Sequence, residues 1–250
     1  MATVLETIGL VKRFGGIVAA SEVSLSIERG ARHALIGPNG AGKTTIVNLL
    51  TGLLRPTTGQ ILLDGHDITD LEAHRRVHLG IARTFQINQL FADLTPIETI
   101  GLAVSERMGT GRQWWRLVGR KGEIVDEVVG LIEQFRLADV MYDRTAILPY
   151  GKQRLLEIAL AIASRPRVLL LDEPAAGVPE GERHEILATI ARLPKDVTVL
   201  LIEHDMDIVF SFADRISVLV NGTLFVEGTP DAVARDPRVK AVYLGEALDV

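Results

Sequence analysis

One run of eight residues constrains the fold of this chain more than any other feature of its sequence. The run reads Gly37-Pro38-Asn39-Gly40-Ala41-Gly42-Lys43-Thr44. It matches the pattern G-x-x-x-x-G-K-[ST] without a mismatch. An apolar strand pattern at 34–36 precedes the run and a helix pattern at 44–53 follows it. The sequence therefore predicts an α/β fold with a phosphate-binding loop between a strand and a helix, rather than a chance glycine turn.

The chemistry of such a loop assigns a role to each part of the run. Glycines let the backbone curl so that its N–H groups point at phosphate oxygens, and the following helix adds its positive N-terminus. We expect Lys43 to reach the β- and γ-phosphates of ATP and Thr44 to bind Mg²⁺. The rest of the run, together with Thr45, is expected to contact the nucleotide.

Two adjacent acids end the apolar run at 168–171. Carboxylates at the end of a buried strand are costly unless they are paired or bind a metal. We expect Asp172 to hold Mg²⁺, directly or through water, and Glu173 to polarise the attacking water. The alternative is a strand that ends at the surface in a solvated acidic pair. With a phosphate loop upstream, the sequence favours a nucleotide-hydrolysing site.

Composition narrows the class of protein. The 250 residues are 47% hydrophobic and carry a net charge of −5, so we expect a sizeable core and no nucleic-acid partner. The absence of cysteine excludes disulfides, cysteine zinc sites and a thiol nucleophile. The N-terminus does not resemble a signal peptide, and no apolar run approaches the roughly 20 residues of a membrane span. A membrane role would have to come through a partner or a surface contact.

Strand and helix patterns divide the chain. Alternating apolar residues predict one half-buried strand across 23–27, and Asn221-Gly222 predicts a hairpin turn. Between about 86 and 164 helix patterns dominate. One helical face there is predicted to hold Ile124, Val125, Val128, Val129, Ile132 and Phe135. We therefore assign 1–86 and 165–250 to an α/β nucleotide-binding core and 87–164 to an inserted helical subdomain.

Three further features resemble the ATP-binding subunits of ABC transporters over nearly the whole chain. A signature segment, Leu148-Pro149-Tyr150-Gly151-Lys152-Gln153, stands where that family has L-S-G-G-Q. Gln86 follows Arg83-Thr84-Phe85 as in the family's Q-loop, and His204 follows a strand like its switch histidine. Taken singly, these are an ordinary turn, a surface glutamine and a structural histidine. The resemblance implies a P-loop NTPase core with a mixed sheet, an inserted helical subdomain and an antiparallel β subdomain.

The resemblance also implies roles. Two subunits would sandwich two ATP molecules head to tail, so that Tyr150, Gly151, Lys152 and Gln153 of one face the γ-phosphate held by the other. Gln86 would touch Mg²⁺ or the attacking water at the hinge to the helical subdomain. His204 would contact the γ-phosphate and orient the water and Glu173, while Lys43 also assists catalysis. Phe14 resembles the aromatic residue that stacks on adenine; a core phenylalanine is the alternative.

Some residues of these motifs depart from the general ABC transporter pattern, and several short motifs resemble one branch of the family. Pro149 replaces the signature serine, and Val178 stands where a polar D-loop residue is common. The set Arg-Thr-Phe-Gln, Pro-Tyr-Gly, Asp-Glu-Pro-Ala-Ala-Gly and Tyr243-Leu244-Gly245 resembles the LivG type of branched-chain amino acid importer. The alternatives are a lipid or lipopolysaccharide transporter subunit and an ATP-gated clamp without transport.

Partners and location follow from the same resemblance. It implies membrane permease subunits docked near 86–94, indirectly a substrate-binding protein, and a peripheral position on the cytoplasmic face of the inner membrane. Trp114 and Trp115 lie in a basic segment, which is expected either to contact lipid headgroups or a membrane subunit or to pack its tryptophans on the helical subdomain.

Overall fold

The structure is a computed structural model that describes residues 2–84, 90–109 and 121–244. The chain folds into two compact units. The core unit comprises Met1–Arg83, Arg167–Glu173 and Pro194–Val250. The helical unit comprises Thr84–Pro166 and Pro174–Leu193. The stretch 174–193, which the sequence analysis placed in the core, thus belongs with the helical unit because its helix packs on the helix Tyr150–Ala163 of that unit.

The secondary structure alternates as the sequence predicts. The strands are β1 Thr3–Phe14, β2 Ile17–Val23, β3 Ser26–Glu28, β4 Arg32–Ile36, β5 Thr58–Leu63, β6 His66–Asp67, β7 Ile81–Thr84, β8 Val168–Asp172, β9 Thr198–Ile202, β10 Arg215–Val220 and β11 Thr223–Gly228. The helices are α1 Lys43–Leu50, α2 Ala73–His78, α3 Pro96–Arg107, α4 Lys121–Gln134, α5 Tyr150–Ala163, α6 Glu180–Ala191, α7 Met206–Phe212, α8 Pro230–Arg235 and α9 Pro237–Leu244. In the described part of the chain, no helix is both long and apolar enough to cross a bilayer.

A six-stranded mixed sheet in the order β11-β10-β4-β9-β8-β7 forms the centre of the core unit. The neighbours β10, β4, β9 and β8 run parallel, whereas β11 pairs antiparallel with β10. Strands β8 and β9 are buried along their whole length, which explains their unbroken apolar sequence. The carboxyl ends of β4, β9 and β8 meet at one edge, where ligands bind in open α/β sheets.

A second, antiparallel sheet has the order β2-β1-β5-β6, with β3 also paired to β1. The mixed core sheet, the helical insertion and this sheet confirm the predicted fold class. The single strand predicted across 23–27 was wrong, because β2 ends at Val23 and β3 begins at Ser26. The Thr7 hydroxyl fills this break, donating to the Val23 carbonyl and accepting from Leu25 N–H, both at 2.9 Å.

The helical unit explains which apolar residues of α4 are buried. Ile124, Val128 and Ile132 are buried, but Val125 is 56% exposed and Val129 42% exposed. The predicted helical face is therefore buried only in part, because these two valines on it remain exposed. Each lies one residue, about 100°, around the helix from the buried row. The helix packs against α3 and α5, and this packing leaves the two valines uncovered.

A buried histidine lies on β4, four residues before the phosphate loop. His33 Nε2 is 2.8 Å from Ser217 Oγ, and that hydroxyl donates to Glu227 at 2.9 Å. Arg215 also donates to Glu227. Burial lowers the pKa of His33, the Glu227 charge acts in the opposite direction, and the Arg215 charge lowers it further. His33 is therefore neutral in the folded protein at neutral pH.

The depressed pKa of His33 predicts a loss of stability in mild acid. The unfolded chain takes up a proton on this side chain below about pH 6.5, whereas the folded chain resists it. The free energy of unfolding should therefore fall as the pH drops from about 6.5. Urea denaturation at several pH values should show a shallower fall for His33→Gln. Equal falls in both proteins would contradict this role.

Candidate functional site

The phosphate loop joins β4 to α1, and two of its positions must be glycine because backbone atoms of other segments lie very close to them. Gly37 has a φ of +152°, and a Cβ there would lie 2.1 Å from the Leu219 carbonyl oxygen. Gly42 has a φ of +99°, and its Cβ would lie 2.4 Å from the Ala19 carbonyl oxygen. At both positions the positive φ favours glycine, and a backbone carbonyl lies where a Cβ would be.

The hairpin turn between β10 and β11 supports this loop. Asn221 and Gly222 have φ values of 47° and 78°, as a type I′ turn requires, which confirms the predicted hairpin. Gly222 N–H donates to the Ala41 carbonyl at 2.9 Å. The Gly222 carbonyl in turn accepts from Ser21 N–H at 2.8 Å. The turn thus ties β2 to the phosphate loop.

The C-terminal helix α9 also reaches the loop. Burial raises the pKa of the Tyr243 hydroxyl to about 12, and the backbone N–H of Gly37 acts in the opposite direction. Tyr243 belongs to the Tyr-Leu-Gly motif that the sequence analysis used only to identify a branch of the family. The structure therefore gives this residue a physical contact with the site.

Lys43 lies across the loop at the start of α1. Its ammonium donates to the carbonyls of Gly37 at 2.6 Å and Pro38 at 3.1 Å. Burial lowers the Lys43 pKa, and the charges of Glu173 and Asp172 act in the opposite direction. Thr44 is exposed and Thr45 half-buried in the first turn of α1, which contains no acidic residue. The N-terminal turn of α1 is therefore open to an anion.

The carboxylate of Asp172 ends β8 and is buried. Its Oδ2 accepts a hydrogen bond from Arg83 at 2.6 Å. The second terminal nitrogen of Arg83 donates to Asn48 Oδ1, also at 2.6 Å. Sequence reasoning did not assign a role to Arg83 or Asn48, because they are distant from Asp172 along the chain. Together they connect α1, β7 and β8.

Glu173 continues from β8 in a left-handed conformation with a φ of 46°. Such a conformation is uncommon for a residue with a side chain, and it concentrates at functional sites. The Glu173 N–H donates to the Ile202 carbonyl at 2.9 Å, which holds the turn against the end of β9. Glu173 Oε1 then lies 3.6 Å from His204 Nδ1. The structure therefore brings together two residues that the sequence analysis predicted for one site.

Glu203 is a third acid at this edge, and the sequence analysis did not select it. It is buried at the end of β9, and its Oε2 accepts from the His204 N–H at 3.2 Å. The same oxygen lies 3.9 Å from His204 Nδ1. An acid directly after a buried strand was the signal that identified Asp172 and Glu173. The same signal could have identified Glu203.

The available donors fit Mg²⁺. Asp172 offers a carboxylate and Thr44 a hydroxyl, both hard oxygen ligands. The described residues contain no group of three or more His, Cys, Asp or Glu side chains arranged for a metal. Mg²⁺ commonly uses few protein ligands and completes its shell with water and phosphate oxygens. Gln86, the other predicted ligand, lies outside the described residues, as do Trp114 and Trp115.

Phe14 lies at the end of β1 and is 47% exposed. It is therefore not the core phenylalanine that the sequence left open. Lys12 Nζ lies 5.1 Å from the centroid of its ring. The exposed ring is available for stacking, and contact with adenine stays a prediction.

The signature segment starts α5 in the helical unit. The Lys152 ammonium donates to the Arg136 carbonyl at 2.5 Å and to Asp139 at 3.0 Å, so its position is held by protein groups. The Gln153 amide donates to the Leu148 carbonyl at 3.0 Å. A Cβ on Gly151 would lie 2.1 Å from a carboxylate oxygen of Glu182. These contacts fix the segment, and its contact with a nucleotide stays a prediction.

The segment after Glu173 is packed within the same unit. Val178, which replaces a polar D-loop residue, is buried, and its carbonyl accepts from Arg183 at 3.0 Å. A Cβ on Gly177 would lie 3.5 Å from the ring of Tyr150. The buried Arg154 of α5 donates to the Pro174 carbonyl at 3.0 Å. These contacts connect α5 with the segment that follows the two acids.

Two family models match this chain. One is described as ABC transporter and matches residues 20–176. The other is described as Branched-chain amino acid ATP-binding cassette transporter and matches residues 224–249. The first match contains the phosphate loop, the signature segment and both acids. The second contains α8, α9 and Tyr243.

Known proteins are similar over nearly the full length. The high-affinity branched-chain amino acid transport ATP-binding protein BraF of Pseudomonas aeruginosa is 40% identical and aligns over 98% of each chain. The corresponding protein LivG of Escherichia coli is 39% identical, with 96% of each chain aligned. The solved ADP conformation of MJ1267, an ATP-binding cassette of an ABC transporter, has a TM-score of 0.84 and 32% identity, covering 98% of this chain and all of that one.

Proposed function

This chain belongs to the ABC transporter family of ATP-binding proteins, and on that premise we propose that it hydrolyses ATP to drive import of branched-chain amino acids. ATP hydrolysis is the activity of the family, and the importer assignment rests on the named relatives and on the C-terminal family model.

One observation carries the catalytic part of the proposal. The phosphate loop, the Asp172-Glu173 pair and the Glu203-His204 pair follow β4, β8 and β9, which are adjacent parallel strands. These groups therefore converge at one edge of the core sheet, although they are far apart in sequence. A cationic loop and two or more carboxylates at one edge suit a metal-nucleotide substrate.

Each residue then has a distinct task. Lys43 and the backbone N–H groups of the loop bind and orient the phosphates. Glu173, next to His204, accepts a proton from the attacking water. His204 contacts the γ-phosphate and holds Glu173 and the water in line. Thr44 and Asp172 hold Mg²⁺, and Gln86 contributes from the connection to the helical unit. When bound, Mg²⁺ neutralises the charge that develops on the phosphoryl oxygens.

The proposed working unit contains more than this chain. A second ATP-binding subunit, identical or paralogous, pairs with it head to tail, and the signature segment of each faces the nucleotide of the other. Permease subunits dock on the helical unit near 86–94 and place the chain on the cytoplasmic face of the inner membrane. A substrate-binding protein delivers the amino acid on the opposite side.

Uptake measurements test the importer assignment. Deleting the gene should reduce uptake of labelled leucine, isoleucine and valine, because the permease loses its energy source. The wild-type gene should restore uptake. A gene carrying Lys43→Ala should not, since that chain cannot bind nucleotide productively.

The choice of amino acids makes the result specific. Unchanged uptake of all three in a cell without a redundant system would contradict the importer assignment. Loss of uptake of another substrate, such as an amide or a different amino acid, would leave the ATPase assignment intact and change the assigned transport substrate. A defect in lipid or lipopolysaccharide export would favour the exporter alternative.

A further inference from the structure

Asp172, whose carboxylate is proposed to hold Mg²⁺, forms a buried ion pair with Arg83. The side chains of Arg83 and Asp172 are 10% and 7% exposed, and their nearest atoms are 2.6 Å apart. A carboxylate buried to this degree needs a counter-charge or strong hydrogen bonds to remain ionised. Arg83 supplies that charge in the structure.

Asn48 fixes the position of Arg83. One terminal nitrogen of the guanidinium donates to Asn48 on α1, while the other donates to Asp172. Because the guanidinium is planar and rigid, two anchors on opposite nitrogens determine both its location and its orientation. Arg83 is thus held between the helix that follows the phosphate loop and the strand that carries the metal ligand.

The charges at this edge are closely balanced. The cations Lys43 and Arg83 lie among the acids Asp172, Glu173 and Glu203. A divalent cation that approaches Asp172 is repelled by the guanidinium on the same carboxylate. This repulsion is strong because water screens charges poorly at such a buried position. The nucleotide phosphates bring the negative charge that offsets this repulsion.

We propose that Arg83 is a built-in counterion of the metal carboxylate, which neutralises Asp172 in the nucleotide-free protein and opposes binding of a divalent cation there. Arg83 acts through Asp172 and is therefore a positioning residue. Its consequence is that the metal binds together with the nucleotide rather than before it. This inference rests on the proposed ATPase site and assigns Arg83 a part in its metal dependence.

Two roles of Arg83 predict opposite results when its charge is removed. If Arg83 only fixed the orientation of the Asp172 side chain, its loss would let the carboxylate move and would weaken metal binding. As a competing counterion, its loss strengthens metal binding. We expect Arg83→Met to bind Mn²⁺ about tenfold tighter or more in the presence of saturating ADP. Arg83→Lys keeps the charge but cannot reach Asn48 and Asp172 with two separate nitrogens, so its affinity should lie between those of wild type and Arg83→Met.

Mn²⁺ titrations followed by electron paramagnetic resonance measure this affinity directly, with and without ADP. Without nucleotide, wild type should bind Mn²⁺ weakly and Arg83→Met measurably more strongly. Equal or weaker binding by Arg83→Met would overturn the proposal. A wild-type protein that binds neither ADP nor Mn²⁺–ADP would instead overturn the proposed function.

Further variants separate charge from folding. Arg167→Met breaks another arginine–aspartate pair in the core unit, formed with Asp64 at 2.7 Å, and should leave Mn²⁺ affinity unchanged. If Arg83→Met does not fold, Asn48→Ala provides the test, because it removes one anchor of Arg83. We expect Asn48→Ala to bind Mn²⁺ several-fold tighter, and unchanged affinity in that folded variant would also overturn the proposal.

Discussion

Replacing Glu173 with glutamine is expected to lower ATP hydrolysis about 10²–10⁴-fold while ATP binding persists. Glutamine keeps the size of the side chain and can still hydrogen-bond water, but it cannot accept a proton. The left-handed backbone at this position and the contact with the end of β9 do not depend on the carboxylate. Phosphate release under saturating MgATP measures the effect.

The Glu173→Gln variant should also accumulate as an ATP-bound dimer, because uncleaved ATP keeps two subunits together. Size-exclusion chromatography with MgATP would detect it. Lys43→Ala is the matched control: it removes the cation that lies on the phosphate loop, so it should weaken nucleotide binding and yield no such dimer. Near-normal turnover by Glu173→Gln would show that Glu173 is not the general base.

A second large effect, on the free energy of unfolding, is expected when Arg76 is replaced. Arg76 is buried on α2 and donates to four carbonyls. Two of these carbonyls, at Leu49 and Leu50, end α1, and the others belong to Thr69 and Leu71. Burial lowers the Arg76 pKa to about 10, so the side chain is still a cation at neutral pH. It caps the C-terminus of the phosphate-loop helix.

Arg76→Met should therefore lower the free energy of unfolding by about 3–5 kcal/mol, because each lost hydrogen bond to a charged donor costs about 1.5–3 kcal/mol and removal of the buried charge offsets part of the total. Methionine keeps a long apolar stem but leaves the carbonyls without their donor. The neighbouring Arg75 is exposed, so Arg75→Met should change stability by no more than about 0.5 kcal/mol. Urea denaturation of both variants provides the comparison, and equal losses would contradict the capping role.

Much of the site could be predicted because its signals are local. The phosphate loop requires only a strand, glycines at fixed spacing and a helix, all within a short stretch around 34–53. The Asp172-Glu173 pair and the Asn221-Gly222 turn are likewise defined by a few adjacent residues. Backbone sterics and hydrogen bonding between near neighbours determine such elements, so a pattern in the sequence is enough to predict them.

The tertiary structure alone decided which distant groups meet. Arg83 pairs with Asp172 and Arg76 caps α1 because sheet order and helix packing bring separate segments together. The same packing left Val125 and Val129 exposed and placed the Thr7 hydroxyl in the break between β2 and β3. Gly42 must be glycine partly because the Ala19 carbonyl lies where its Cβ would be. Contacts of this kind depend on register and packing across the fold, which a single sequence does not display, whereas the loop, the acids and the hairpin turn are specified by their own residues.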